Sequence, residues 1–213
     1  VVKRPAIILI CLLLQACSET TQGIGHSLRE SIFGTDGVQL TDDDILNMPY
    51  ASQYMRLNGG PQLFVVLAFS ENGQQKWATQ DRATIVTQRG RIVKTRLGGD
   101  NLLDVSNPEA DPLAKPNQII DGAEWTRTMG WTENQQVRYA TARSVFRWDG
   151  TDTLTLGSDV TDVRVLEEEV ATDNASWTNR YWIDSEGQIR RSRQYLGANY
   201  FPVETTLIKA AKE

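Results

Sequence analysis

The 213-residue chain balances 22 Lys and Arg against 27 Asp and Glu, for a formal net charge of -5, and is 40% hydrophobic. That balance fits one globular domain with a real core, or two small ones, and excludes a disordered or collagen-like chain; the lack of a concentrated basic patch excludes nucleic acid as the main partner. Both cysteines, Cys11 and Cys17, lie in the first seventeen residues, so disulfides, thiol catalysis and thiolate metal sites are excluded from everything beyond them.

At the N-terminus Lys3 and Arg4 precede an uninterrupted apolar run, Ala6 to Leu14. Nine residues are too few to span a bilayer, which needs roughly twenty. A basic flank, a short apolar run and small residues after it describe a secretory signal peptide over residues 1–16. Leu14-Gln15-Ala16-Cys17 resembles a bacterial lipobox, which makes Cys17 the expected site of lipidation and the first residue of the mature protein. Ser18 after it is similar to the residue that sends enterobacterial-type lipoproteins to the outer membrane. Residues 17–38 then read as the lipidated cysteine and a flexible tether, rich in Ser, Thr, Gly and Gln. The single histidine, His26, falls there with no second histidine to share a metal.

The globular part is expected over residues 39–213. Thr41-Asp42-Asp43-Asp44 carries a capping-box pattern that starts a helix, and its spacing is not that of a calcium loop. Tyr50, Tyr54 and Leu57 recur at helical spacing and predict a second short helix before Asn58-Gly59-Gly60-Pro61. From there the period changes to that of strands. The runs Leu63 to Ser70, Gln75 to Thr79, Ala83 to Thr87 and Arg91 to Leu97 are separated by turn signals such as Asn72-Gly73 and Arg89-Gly90. Asp104 to Asn117, with three prolines, is a loop. Further strands follow over Glu124 to Trp131, Gln136 to Trp148, Thr153 to Leu156, Val160 to Ala171, Trp177 to Ile183, Gln188 to Tyr195 and Tyr200 to Ile208, with Asp149-Gly150 read as a turn. The fold class is therefore mainly β: a curved antiparallel sheet closing into a barrel-like or sandwich domain, with short N-terminal helices.

Tyr50-Ala51-Ser52 with Arg56, Val66-Leu67-Ala68, Trp77, Asp81, Gly90 to Thr95, Asn101-Leu102 and Asp111-Pro112-Leu113 follow one another in an order that resembles the GfcB/YjbF family of group 4 capsule and exopolysaccharide lipoproteins. Asn179 to Asp184 and Gly187 to Ser192 extend the resemblance over most of the mature chain. It implies an outer-membrane lipoprotein with a β-rich barrel-like fold, anchored in outer-membrane lipid through acylated Cys17 and facing the periplasm. It also implies an outer-membrane β-barrel export protein and polysaccharide as partners, and it brings no catalytic motif.

Most of these residues serve turns and strands. Arg56, Asp81 and Arg91 are polar residues that a barrel end or groove could use. Six tryptophans offer flat faces for sugar rings; Trp125 and Trp131, six apart, share one side of a strand and are the candidate glycan or partner contacts, whereas Trp177 and Trp182 face opposite sides. No cofactor and no metal site is expected. The leading function is a non-enzymatic accessory in capsule or exopolysaccharide assembly or export. One alternative is a periplasmic polysaccharide-modifying enzyme using paired carboxylates drawn from Asp81, Glu124, Asp149, Asp159 and Asp184. Another is a lipoprotein carrier with a hydrophobic cavity.

Overall fold

The computed structural model describes residues 37–197 and 200–211. The expected signal peptide, Cys17, His26 and nearly all of the tether lie outside the described residues. The compact unit opens with α1 (Asp42–Leu46), whose capping box forms as expected: the Thr41 side chain accepts from Asp44 N–H, and the Asp44 carboxylate takes the Thr41 backbone N–H. There is no second helix at Tyr50 to Leu57; that segment is strand β1 (Ser52–Leu57). Helical spacing of Tyr54 and Leu57 was misleading because Ser52, Gln53, Tyr54 and Met55 are all buried, so both faces of the strand are covered and no period-2 signal survives.

The remaining strands are β2 (Leu63–Glu71), β3 (Gln74–Ala78), β4 (Thr84–Gln88), β5 (Arg91–Arg96), β6 (Leu102–Val105), β7 (Ala123–Glu133), β8 (Gln136–Leu156), β9 (Asp159–Ala171), β10 (Ser176–Ile183), β11 (Ile189–Tyr195) and β12 (Pro202–Lys209). They form one antiparallel sheet in the order β5-β4-β3-β2-β1-β12-β11-β10-β9-β8-β7-β6, nearly closed into a barrel. Its two edges, β5 and β6, are consecutive in the chain. Across that seam side chains replace a ladder: Leu102 N–H donates to Thr95 Oγ1 at 3.0 Å, and Leu97 N–H to Asn101 Oδ1 at 2.7 Å. The proline loop after β6 coils into three 3₁₀ turns starting at Pro108, Pro112 and Pro116.

One inward row shows the core. Leu63, Met55, Thr205, Ser192, Tyr181 and Leu166 are cross-strand partners from β2 to β9, and every one is buried. The next row outward runs Phe64, Tyr54, Thr206, Arg191, Trp182, Val165. Asp149-Gly150 does not end a strand. It forms a bulge between Trp148 and Thr151, with Gly150 at φ 84°, and β8 continues to Leu156. A bulge bends and twists the strand that carries it, and the distal β8–β9 hairpin folds over the outer sheet face, where Leu154, Val163 and Val165 pack on Trp182. The Trp182 indole N–H donates to Asp152 Oδ2 at 2.9 Å. At the hairpin tip Gly157 meets α1, and a Cβ there would sit 2.8 Å from Asp42 Oδ1.

Gly90 closes the turn that delivers Arg91 to the interior. Its φ is 80°, and a Cβ would lie 2.4 Å from Ile189 Cδ1. Gly90→Ala therefore combines left-handed backbone strain of about 1–2 kcal/mol with a collision. Gly73→Ala carries similar strain, at φ 75°, but nothing lies within 4 Å of its Cβ. Urea melts of the two variants should show the larger loss at Gly90.

Candidate functional site

Inside the barrel the inward positions of β5, β7, β8, β9, β10 and β11 place a charged network. Arg91 on β5 pairs with Asp111 through two nitrogens, and its Nη1 donates to Glu168 Oε2 at 2.9 Å and to the Tyr181 hydroxyl at 3.0 Å. Arg127 on β7 reaches Glu168 Oε1 at 3.3 Å and donates to Ser144 Oγ at 2.5 Å, and Ser144 donates on to Glu168. Asn179 Nδ2 and the Tyr181 hydroxyl each donate to Glu168 Oε2 at 2.9 Å. Both guanidinium groups stand over the Trp125 ring, at 4.4 Å for Arg91 and 4.2 Å for Arg127. Gln194 extends the network to the barrel edge: its Oε1 accepts from Ile92 N–H and its Nε2 donates to Gly90 O.

Two guanidinium groups thus face two carboxylates, all buried. Burial alone would raise the Glu168 pKa; Arg91 and Arg127, with hydrogen bonds from Asn179 and Ser144, overcome it and hold the carboxyl at about 2. Burial likewise pulls the Arg127 pKa down, and Glu168 counters that only in part. Burial pushes Tyr181 well above the ordinary phenol value, with neighbouring Glu168 and Asp111 adding to the rise. A fully ionised carboxylate surrounded by donors and withdrawn from water is poorly suited to proton transfer. The network instead ties the seam together, because Arg91 on the β5 edge grips both the segment after β6, through Asp111, and the opposite wall, through Glu168.

On the outer face a charged row crosses the strands as Arg56, Glu204, Arg193, Arg180, Glu167 and Arg147. Arg180 pairs with Glu167 and with Asp149, the latter at 3.0 Å. Between this face and the overhanging hairpin lies a groove of about 290 Å³, lined by Tyr54, Arg56, Leu154, Thr161, Arg191 and Glu204 among others.

Of the residues nominated from the sequence, Arg91 is at the centre of the buried network and Arg56 lines the outer groove. Asp81 is exposed in the turn between β3 and β4. Trp125 and Trp131 do share one side of β7, but that side is the interior, where they are 3% and 5% exposed. This corrects their assignment as contact faces: β7 is walled on its inner side by the rest of the barrel, so Trp125 serves as a platform for two arginines and Trp131 packs against Gly197. Among the nominated carboxylates, Asp159 and Asp184 come to one guanidinium, Arg190, at 3.5 and 4.0 Å. Asp149 binds Arg180, and Glu124 is exposed on β7.

Sequence reasoning did not nominate Glu168, Arg127, Ser144 or Asn179 as site residues. A signal was present: Glu168 alternates with Leu166 and Val170, and Arg127 with Trp125 and Met129, so strand periodicity puts each charge on an apolar side. Two charges forced onto the core face of one sheet need a partner there.

A family model described as group 4 capsule polysaccharide lipoprotein GfcB, YjbF matches residues 25–208. The uncharacterized lipoprotein YjbF of Escherichia coli strain K12 is 78% identical over 211 residues, covering 99% of this chain and all of that protein. The uncharacterized lipoprotein GfcB of the same organism is 40% identical over 212 residues, covering 98% and 99%. Among solved structures, the hypothetical lipoprotein YmcC of Escherichia coli K12 superposes with a TM-score of 0.78 at 40% identity, covering 88% of this chain and 96% of that one.

Proposed function

The chain belongs to the group 4 capsule polysaccharide lipoprotein family, and from that premise we propose that it acts as a non-enzymatic accessory in capsule or exopolysaccharide assembly or export. Acylated Cys17 holds it on the periplasmic side of the outer membrane, beside an export protein and the polysaccharide. A tethered domain gains effective concentration near membrane-embedded partners without high intrinsic affinity.

The observation that carries this reading is the use made of the barrel interior. A catalytic carboxylate must reach substrate and water, and a carrier must keep its interior open and apolar. Here the inward carboxylates, Glu168 and Asp111, are engaged by Arg91, and the space around them is taken by Trp125, Tyr181 and Arg127. Such a filled, cross-linked barrel suits a rigid body that presents its outer surface.

Deletion of the gene in its host should lower surface polysaccharide, and plasmid-borne wild type should restore it. Purified protein incubated with that polysaccharide should leave its chain length unchanged over hours. Progressive shortening, lost on changing Asp159 or Asp184 to Asn, would replace the accessory reading with an enzymatic one.

A further inference from the structure

We propose that the groove beneath the β8–β9 hairpin is a binding site for an acidic saccharide, with Arg56 and Arg191 receiving its carboxylate. The inference deepens the accessory reading by naming the class of ligand and its place.

Charge is unbalanced there in a protein that is acidic as a whole. Glu204 is the carboxylate between Arg191 and Arg193, and it stands 3.8 and 3.6 Å from them, beyond the 2.7–3.2 Å of a good N–H···O bond. Arg56, directly opposite Glu204 across the β1–β12 ladder, donates to the neutral Gln62 amide at 3.1 Å. Arg190 is different, since Asp159 and Asp184 both address it. Arg56, hydrogen-bonded to a neutral amide, and Arg191, with Glu204 at 3.8 Å, both line the groove and form a receptor for a further carboxylate, because guanidinium forks bind carboxylates with two parallel hydrogen bonds.

The remaining lining fits a sugar. Thr155, Thr161 and Thr206 bring hydroxyls that both donate and accept, as sugar hydroxyls do, while Leu154 and Leu156 from the hairpin cover apolar ring faces. The volume, about 290 Å³, sits at the low end for small-ligand pockets, so the groove takes one end or one unit of a longer chain. The floor is held rigid: the Arg191 guanidinium lies over the Trp182 ring at 5.1 Å, and Trp182 is tied to Asp152 in the hairpin. Val38 to Leu40 run along the groove's margin, held by hydrogen bonds to Gln62 and Tyr54.

Calorimetric titration of the purified chain with tetragalacturonate, and with maltotetraose as a neutral control of equal length, tests the proposal. Binding of the acidic oligosaccharide alone is expected, weakened at least about tenfold by Arg191→Ala and again by 0.5 M salt. Arg56→Gln, at an exposed position, gives a second variant whose unchanged melting temperature verifies folding while its affinity falls. Equal binding of both oligosaccharides, binding unaffected by either variant, or no binding of tetragalacturonate would overturn it. The accessory reading has its own readout, restoration of surface polysaccharide in the deletion strain. Full restoration by Arg56→Gln/Arg191→Ala with tetragalacturonate binding abolished would refute an export role for the groove and leave the accessory reading standing.

Discussion

Glu168→Gln will destabilise the domain by about 3–5 kcal/mol, because it leaves Arg91 and Arg127 buried against a neutral amide. Removing one partner from a buried network costs more than the intact network contributes, since the charges left behind cannot return to water. For a domain of this size that is a fall of roughly 6–20 °C in Tm, measurable by circular dichroism. Glu169→Gln, one residue along on the outer face, removes only an exposed pair with Arg147 and should leave the midpoint close to wild type. The sign of the pH dependence follows from the direction of the Glu168 shift. A carboxyl lowered from 4.5 to about 2 on folding contributes its full stabilisation above the unfolded value and loses it as pH falls through the window from about 4.5 to 2. Wild type should therefore lose stability more steeply across that window than Glu168→Gln. Equal midpoints for the two proteins at pH 7 would show that the network holds nothing together.

Cys17→Ala should lose most of the surface-polysaccharide phenotype while leaving the barrel intact. Without this thiol the lipobox has no cysteine to acylate, and each acyl methylene withdrawn from the membrane forfeits about 0.8 kcal/mol of anchoring. The expected result is uncleaved precursor, no incorporation of labelled palmitate, and little restoration of surface polysaccharide in the deletion strain. Wild-type protein found free in the periplasm without acyl chains, or full restoration by an unanchored domain at native abundance, would sink the anchoring and scaffold readings.

Much of the architecture was legible because its signals are local. Asn72-Gly73 and Arg89-Gly90 take positive φ at both residues, as two-residue hairpins require, and the Thr41 capping box forms within four residues. Charged side chains on the outer face pair with partners on neighbouring strands, Arg180 for Glu167 and Glu204 for Arg191 and Arg193. Where local pattern is ambiguous it failed. β1 is covered on both faces, so its spacing mimics a helix, and Asp149-Gly150 has turn chemistry that a bulge uses equally well.

By itself the sequence determined the antiparallel β class, most of the turns and the lipid-attachment residue to be tested, since each rests on residues close together in the chain, and it determined the family through the order of short motifs along it. Only tertiary structure decided which side of each strand is inside. Alternation states that Trp125, Arg127 and Trp131 share a side; barrel closure makes that side the core and turns two expected contact rings into packing and a cation platform. Arg91 and Glu168 are 77 residues apart, and Arg56 meets the hairpin only because a bulge folds β8 back over the sheet. Such partnerships depend on register and curvature summed over many strands, which no short segment encodes.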